Sequence, residues 1–273
     1  MKYVFGAAVG ALTALALAFL VLPVVALFVH VPPGDLLHAL GSSAARDAIV
    51  VSLKTSAIAH ALVLLVGTPA AYALARPFRG RGFVLTLIEL PLVLPPAVAG
   101  IALLVTFGRA GLLGDTLDAL GIHVAFTQTA VVLAVAFVES PFYVRGAIAS
   151  FESLDPTLVE AARTLGAGPA RVFGRVALPL AASGLAAASA LALARGLGEF
   201  GATILFAGSL QGVTQTLPLA IYAQFDVNLD TALAIGALFV VLGAVVLTTI
   251  KFLPGWTRFL STSTFRSASS PST

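Results

Sequence analysis

Asp155-Pro-Thr-Leu-Val-Glu160-Ala-Ala-Arg-Thr-Leu165-Gly-Ala-Gly-Pro-Ala170-Arg-Val-Phe-Gly-Arg175-Val-Ala-Leu-Pro179 is the stretch on which the reading of this chain turns. Asp155 suits an N-cap, because its carboxylate can accept the unpaired N–H groups of a first helical turn, and Pro156 suits the first helical position. Leu158, Ala161, Ala162 and Leu165 then recur at helical spacing and make one apolar face. Glu160 and Arg163 stand off that stripe, three residues apart, where they can pair. Gly166 is placed to end the helix in a left-handed conformation. Pro169 opens a second short amphipathic stretch carrying Arg171, Val172, Arg175 and Val176, and Pro179 closes it. The expected product is a helix, a sharp glycine turn and a second short helix.

On both sides of this polar unit the sequence becomes strongly apolar. Of 273 residues, 59% are hydrophobic and 10% charged, with a mean hydropathy of +1.04. Soluble domains carry about 25% charge, so a water-soluble enzyme is excluded. A helix crossing about 30 Å of hydrocarbon needs roughly 20 apolar residues. Six stretches meet that length: about 3–29, 55–75, 83–107, 127–148, 180–207 and 231–250. The first is too long for the h-region of a signal peptide and lacks a small-residue cleavage site, so it is read as a retained helix. An all-α polytopic membrane protein with six transmembrane helices follows. Residues 1–255 are expected to form one transmembrane domain, with residues 149–179 as its long inner loop. Residues 256–273, rich in Ser and Thr, are expected to be a disordered cytoplasmic tail.

Charge orients the helices, since Lys and Arg collect on the cytoplasmic side of short loops. With the N-terminus inside, Lys2, Arg76, Arg79, Arg81, Arg145, Arg163, Arg171, Arg175, Lys251, Arg258 and Arg266 are cytoplasmic. Only Arg46, Lys54 and Arg109 are outside. Both termini are therefore expected in the cytoplasm. A net charge of +3 from scattered Arg residues is no nucleic-acid-binding face, and the absence of Cys removes disulfides and thiolate metal sites.

Here the residues carry a family likeness. Glu160-Ala161-Ala162, with Gly166 four residues later and Val176-Ala-Leu-Pro179 beyond it, resembles the EAA loop of ABC-importer permeases. The resemblance implies a type I importer permease fold in the cell inner membrane. It also implies that Glu160, Ala161, Ala162, Leu165 and Gly166 form a coupling helix gripped by a separate ATPase. Two ATPase subunits, an extracytoplasmic oxyanion-binding protein and a second copy of the chain are the implied partners. Leu197-Gly-Glu-Phe-Gly-Ala-Thr203 and Thr214-Gln-Thr-Leu-Pro-Leu-Ala-Ile-Tyr222 resemble molybdate (and tungstate) permeases, with the sulfate and thiosulfate permeases as relatives. No Gly-x4-Gly-Lys-Ser/Thr loop is present, so no cofactor is expected on this chain, and ATP and Mg would be used by the partner.

Other patterns carry less. Gly196-x-Gly198-x-x-Gly201 fits a dinucleotide fingerprint in spelling only, because no strand precedes it. His30, His38, His60 and His123 share no ligand spacing, and His60 is read as an interhelical hydrogen-bonding residue; no metal site and no catalytic residue is expected. Arg195 and Glu199, four apart, are read as an intramembrane pair that either orients the bundle or borders the substrate route, with Thr203 one turn further along. Glu139 is read as a structural partner near the inner end of its span. Pro95 and Pro96 break the third span, either as a gate or as a packing kink. An ion-coupled secondary transporter would need midplane carboxylates and repeated halves. Only Glu199 is a candidate for such a carboxylate, and no repeat is visible.

Overall fold

The computed structural model describes residues 2–32, 34, 36, 37 and 41–251. The tail from 256 and His38 lie outside the described residues. The elements, all helical among the described residues, are α1 (Lys2–His30), α2 (Ser43–Leu74), α3 (Arg81–Val93), α4 (Pro96–Phe107), α5 (Gly114–Ala119), α6 (Gln128–Glu152) and α7 (Pro156–Thr164), followed by α8 (Pro169–Leu197), α9 (Gly201–Ala207), α10 (Leu217–Phe225) and α11 (Leu229–Lys251). Five are long and apolar enough to cross a membrane: α1, α2, α6, α8 and α11. The bent pair α3–α4 makes a sixth crossing when it is counted as one span. The chain is thus a polytopic α-helical membrane protein.

Two expectations need correction, while the break at Pro95 and Pro96 is present: α3 and α4 meet at 112°. Pro95 and Pro96 cannot donate backbone N–H groups, and Leu94, ahead of a proline, is extended (ψ 129°). The fifth span ends at Leu197 and not at Ala207, because Gly198, Glu199 and Phe200 leave the helix before α9 starts. Pro179 does not close a separate cytoplasmic helix. A five-residue wide turn over Phe173–Ala177, in which Leu178 N–H donates to Phe173 O, re-spaces the ladder just ahead of Pro179. The helix then runs through from Pro169 to Leu197.

The centre of the molecule is α2, α6 and α8. Small residues let their backbones approach: Ala59 and Ala71 on α2, Ala134 and Ala147 on α6, and Ala181, Ala188 and Ala192 on α8 are all buried. At Gly146 a Cβ would come within 2.6 Å of Ala188 Cβ, so α6 and α8 meet at a distance only glycine permits. By contrast α1 is almost bare, with Leu12 66% and Phe19 78% exposed, as suits a helix against lipid or a partner helix.

Polar ties hold the two ends. At the end nearer α7 Arg81 pairs with Glu152 and its Nε donates to Leu74 O at 2.8 Å, joining α2, α3 and α6. Arg145 pairs with Glu89 at 3.3 Å. Beside them Tyr72 packs on Phe151 and Phe173, with the Arg76 guanidinium 4.6 Å above its ring. At the opposite end Leu217 N–H donates to Ser52 Oγ at 2.7 Å, and Gln211 Nε2 donates to Asp47 Oδ2 at 3.1 Å.

Candidate functional site

The loop after α6 has the local form its sequence dictates. Asp155 Oδ1 accepts from Thr157 N–H at 2.9 Å and from Thr157 Oγ1 at 2.8 Å. Those bonds to the charged form hold the Asp155 carboxyl below its ordinary range. Gly166 has φ +81°, with its N–H on Arg163 O at 2.9 Å and the Ala167 N–H on Ala162 O at 3.0 Å. This pair of bonds is a Schellman ending, and only glycine takes that φ without strain. α7 therefore stops abruptly and the chain reverses into α8.

α7 leaves its apolar stripe uncovered. Leu158 is 47% and Leu165 88% exposed, Glu160 and Ala161 are exposed, and Ala162 is half-buried. Glu160 and Arg163 form no ion pair with each other among the described residues. Behind α7 lies a cavity of about 510 Å3, lined by Tyr72, Arg76, Glu152, Val159, Glu160 and Arg163 among others. A nine-residue helix is too short to persist on its own in water. It is held at its ends by the Asp155 cap and the Gly166 turn, and its outer face is free for a partner.

At the far side of the bundle the second half of the broken crossing, α4, interlocks with α9, the short helix that follows the end of α8. A Cβ on Gly201 would meet Pro96 Cβ at 2.6 Å, and one on Gly100 would meet Ala202 O at 2.7 Å. So α4 and α9 are packed backbone to backbone, and Pro96, Glu199 and the start of α9 belong to one constellation. Arg195 Nη1 lies 3.0 Å from Glu199 Oε2, and Glu199 Oε1 accepts the Ala202 N–H at 2.8 Å, so one carboxylate both neutralises the arginine and caps α9. Thr203 is fully buried, and its hydroxyl has no partner. It belongs to α9, across the break, and so does not continue the helix face of Arg195 as its spacing suggests.

Arg195 is in the last turn of α8, next to Gly196. Gly196 lies against Glu139, so the Arg195–Glu199 pair is about level with that residue. Glu139 is halfway along α6, not near the end of its span, and fully buried. It bonds to His60 of α2 and does not reach Arg145, whose partner is Glu89. His60 Nε2 in turn lies 2.8 Å from Ser189 Oγ of α8. Sequence reading took His60 and Glu139 separately; their signal was one ionisable residue in each of two spans, while Ser189 gave none.

Thr214, Gln215 and Thr216, part of the stretch that narrowed the family likeness, form a buried turn between α9 and α10. Thr214 and Gln215 N–H groups donate to Leu210 O, and Leu210 N–H donates to Thr214 Oγ1 at 3.0 Å. Among the described residues no three His, Asp or Glu side chains converge as metal ligands.

A broken crossing packed on a short helix, an uncovered amphipathic helix at one end and small-residue helix contacts are the architecture of a membrane permease. The family described as "Binding-protein-dependent transport system inner membrane component" matches residues 63–258, and the chain belongs to it. It is 45% identical over 232 residues to the molybdenum transport system permease protein ModB of Mycobacterium tuberculosis, covering 84% of this chain and 88% of that one. It is 38% identical over 200 residues to the sulfate transport system permease protein CysW of Synechococcus elongatus, covering 72% and 70%. A crystal structure of a bacterial alginate ABC transporter superposes with a TM-score of 0.74 at 19% identity, covering 92% of this chain and 93% of that one, which fixes the type I permease fold.

Proposed function

We propose that this chain is the membrane subunit of an ATP-driven importer for a tetrahedral oxyanion, molybdate or tungstate in preference to sulfate. The observation that carries the substrate class is the 45% identity, over most of both chains, to a molybdenum permease. Sulfate is the second reading, favoured by the 38% identity to CysW.

In this reading residues 1–255 act as one permease domain with both termini in the cytoplasm. Two copies form the pathway between them, and a binding protein delivers the anion from outside. Two ATPase subunits, which supply the ATP and Mg chemistry, grip α7 on its uncovered face at Glu160, Ala161, Ala162 and Leu165. Closure of the ATPase pair on ATP moves α7, and the Asp155 cap and the Gly166 turn pass that motion into α6 and α8. The bundle then rocks as a body and opens the pathway to one side or the other. The interlocked segments around Pro95, Pro96, Arg195, Glu199 and Thr203 border the pathway or form its gate. A dianion must leave as readily as it enters, so hydroxyl and backbone groups suit the route better than an arginine cage.

Uptake of labelled molybdate by the reconstituted complex, with tungstate and sulfate as competitors, tests this. ATP-dependent uptake that tungstate blocks at far lower concentration than sulfate is expected. Preferential block by sulfate supports the second reading. Uptake sustained by a proton gradient without the ATPase would overturn both in favour of an ion-coupled carrier.

A further inference from the structure

The polar network at mid-bilayer has no part in the account above. His60, Glu139 and Ser189 come from α2, α6 and α8, the three helices that make the centre of the bundle. With Glu139 as a carboxylate, which only accepts, His60 donates from Nδ1 to Glu139 Oε1. Its Nε2 is then left to accept from the Ser189 hydroxyl, 2.8 Å away. Glu139 is 0% exposed, and its second oxygen, Oε2, has no hydrogen-bond partner. An unpaired oxygen on a buried carboxylate is costly and needs a reason to persist.

That oxygen faces α8 at a particular residue. A Cβ on Gly196 would sit 2.9 Å from Glu139 Oε2 and 3.1 Å from Val135 Cγ1, so the carboxylate lies directly against the backbone of α8. Gly196 is where the α8 helix begins to end. Its carbonyl accepts the Glu199 N–H at 3.0 Å, and from there the chain runs through Gly198 and Phe200 into α9. Glu199 holds Arg195 on one oxygen and the α9 N–H of Ala202 on the other. A line of contacts therefore joins the buried network to the break after α8: Ser189 bonds His60, His60 bonds Glu139, Glu139 lies against Gly196, and the Gly196 carbonyl holds the Glu199 N–H at the break.

We infer that His60 and Glu139 are positioning residues of the transport cycle. They clamp α2, α6 and α8 into one body and, through the close approach at Gly196, set where the Gly198–Phe200 break and α9 sit. Neither needs to touch the transported ion. The inference rests on the transport reading for its consequence in uptake, but its structural half can be read without transport.

The chain has no Cys, so Thr203→Cys on the fully buried face of α9 is a clean single probe. In full-length protein in lipid vesicles, without ATPase, its labelling by a small thiol reagent is expected to be slow. Adding Glu139→Gln, which keeps the side chain's size, is expected to speed labelling roughly tenfold, the scale of one lost charge-assisted hydrogen bond. In the reconstituted complex Glu139→Gln and Ser189→Ala are expected to lower ions imported per ATP at unchanged KM. Gly196→Ala is expected to do the same and to recover in part when combined with Glu139→Asp, whose shorter arm withdraws the carboxylate. Unchanged Thr203→Cys labelling, with unchanged import per ATP in both Glu139→Gln and Ser189→Ala, overturns the inference. Should Glu139→Gln fail to assemble, Ser189→Ala decides alone: full labelling protection and full import per ATP in that variant refute it. A wild-type complex that shows no ATP-driven uptake refutes the transport reading, while the labelling comparison still decides the clamp.

Discussion

Replacing Gly166 gives a graded test of how motion enters the membrane domain. The residue has φ +81° and nothing within 4 Å of where a Cβ would stand, so every effect of substitution comes from the backbone and none from crowding. Alanine held in that left-handed region costs about 1–2 kcal/mol, which reduces the population of the correct turn roughly 5–30-fold. Asparagine, which tolerates the region, should cost less. Proline cannot enter it, since its ring fixes φ near −65°. It would also delete the N–H that donates to Arg163 O at 2.9 Å, a further loss of about 0.5–1.5 kcal/mol. These penalties fall on the short α7 and its turn, not on the α2–α6–α8 core, so the variants should assemble normally. In the reconstituted complex, ions imported per ATP should fall in the order glycine, asparagine, alanine, proline, with ATP hydrolysis persisting in the proline variant. A proline variant that imports as many ions per ATP as the wild type would refute the reasoning.

Asp155 supplies a pH test. Its carboxyl is held low by Thr157, so the cap's contribution is complete above the ordinary aspartate range and is lost only as pH falls through the lowered folded value. Coupling should therefore be insensitive to titration of Asp155 between about pH 5 and 8, and Asp155→Asn, which still caps, should outperform Asp155→Ala in import per ATP. Where α4 and α9 interlock, Gly201→Ala and Gly100→Ala should each destabilise the protein by about 1–3 kcal/mol through overpacking, measured as thermal unfolding in detergent; an unchanged melting temperature would deny the contact. His60→Ala leaves the buried Glu139 carboxylate without its hydrogen-bond donor and should cost about 1.5–3 kcal/mol. Adding Glu139→Ala to it should restore part of that loss in the same assay, and strictly additive effects would show that the pair is not coupled.

Much of this was legible in the chain because the membrane imposes long uncharged runs, and because caps and glycine turns are local devices. The Asp155 cap, the Gly166 turn and the break at Pro95-Pro96 depend on neighbours within a few residues, and each lies where the sequence puts it. The end of the fifth crossing was hidden. Gly198-Glu199-Phe200 holds no proline and no polar run, and what ends α8 there is the packing of Gly201 on Pro96, a tertiary contact, together with the local Glu199 bond to the Ala202 N–H. The run-through at Pro179 was hidden for a similar reason, since a wide turn upstream leaves no mark in hydropathy. Pairing was the least visible feature. Glu139 reads as a structural partner near the end of its span, yet it faces His60 across the bundle, and no period in either helix states which partner the fold will bring.

The central claim is that α7 is held by an energy-supplying partner while the importer works. Leu165→Cys in this otherwise cysteine-free chain is 88% exposed at the end of α7, so it should react rapidly with a thiol reagent when the permease is alone. In the assembled, ATP-hydrolysing complex it should become protected while import continues. Equal labelling with and without the ATPase, in a complex that transports, would contradict the account.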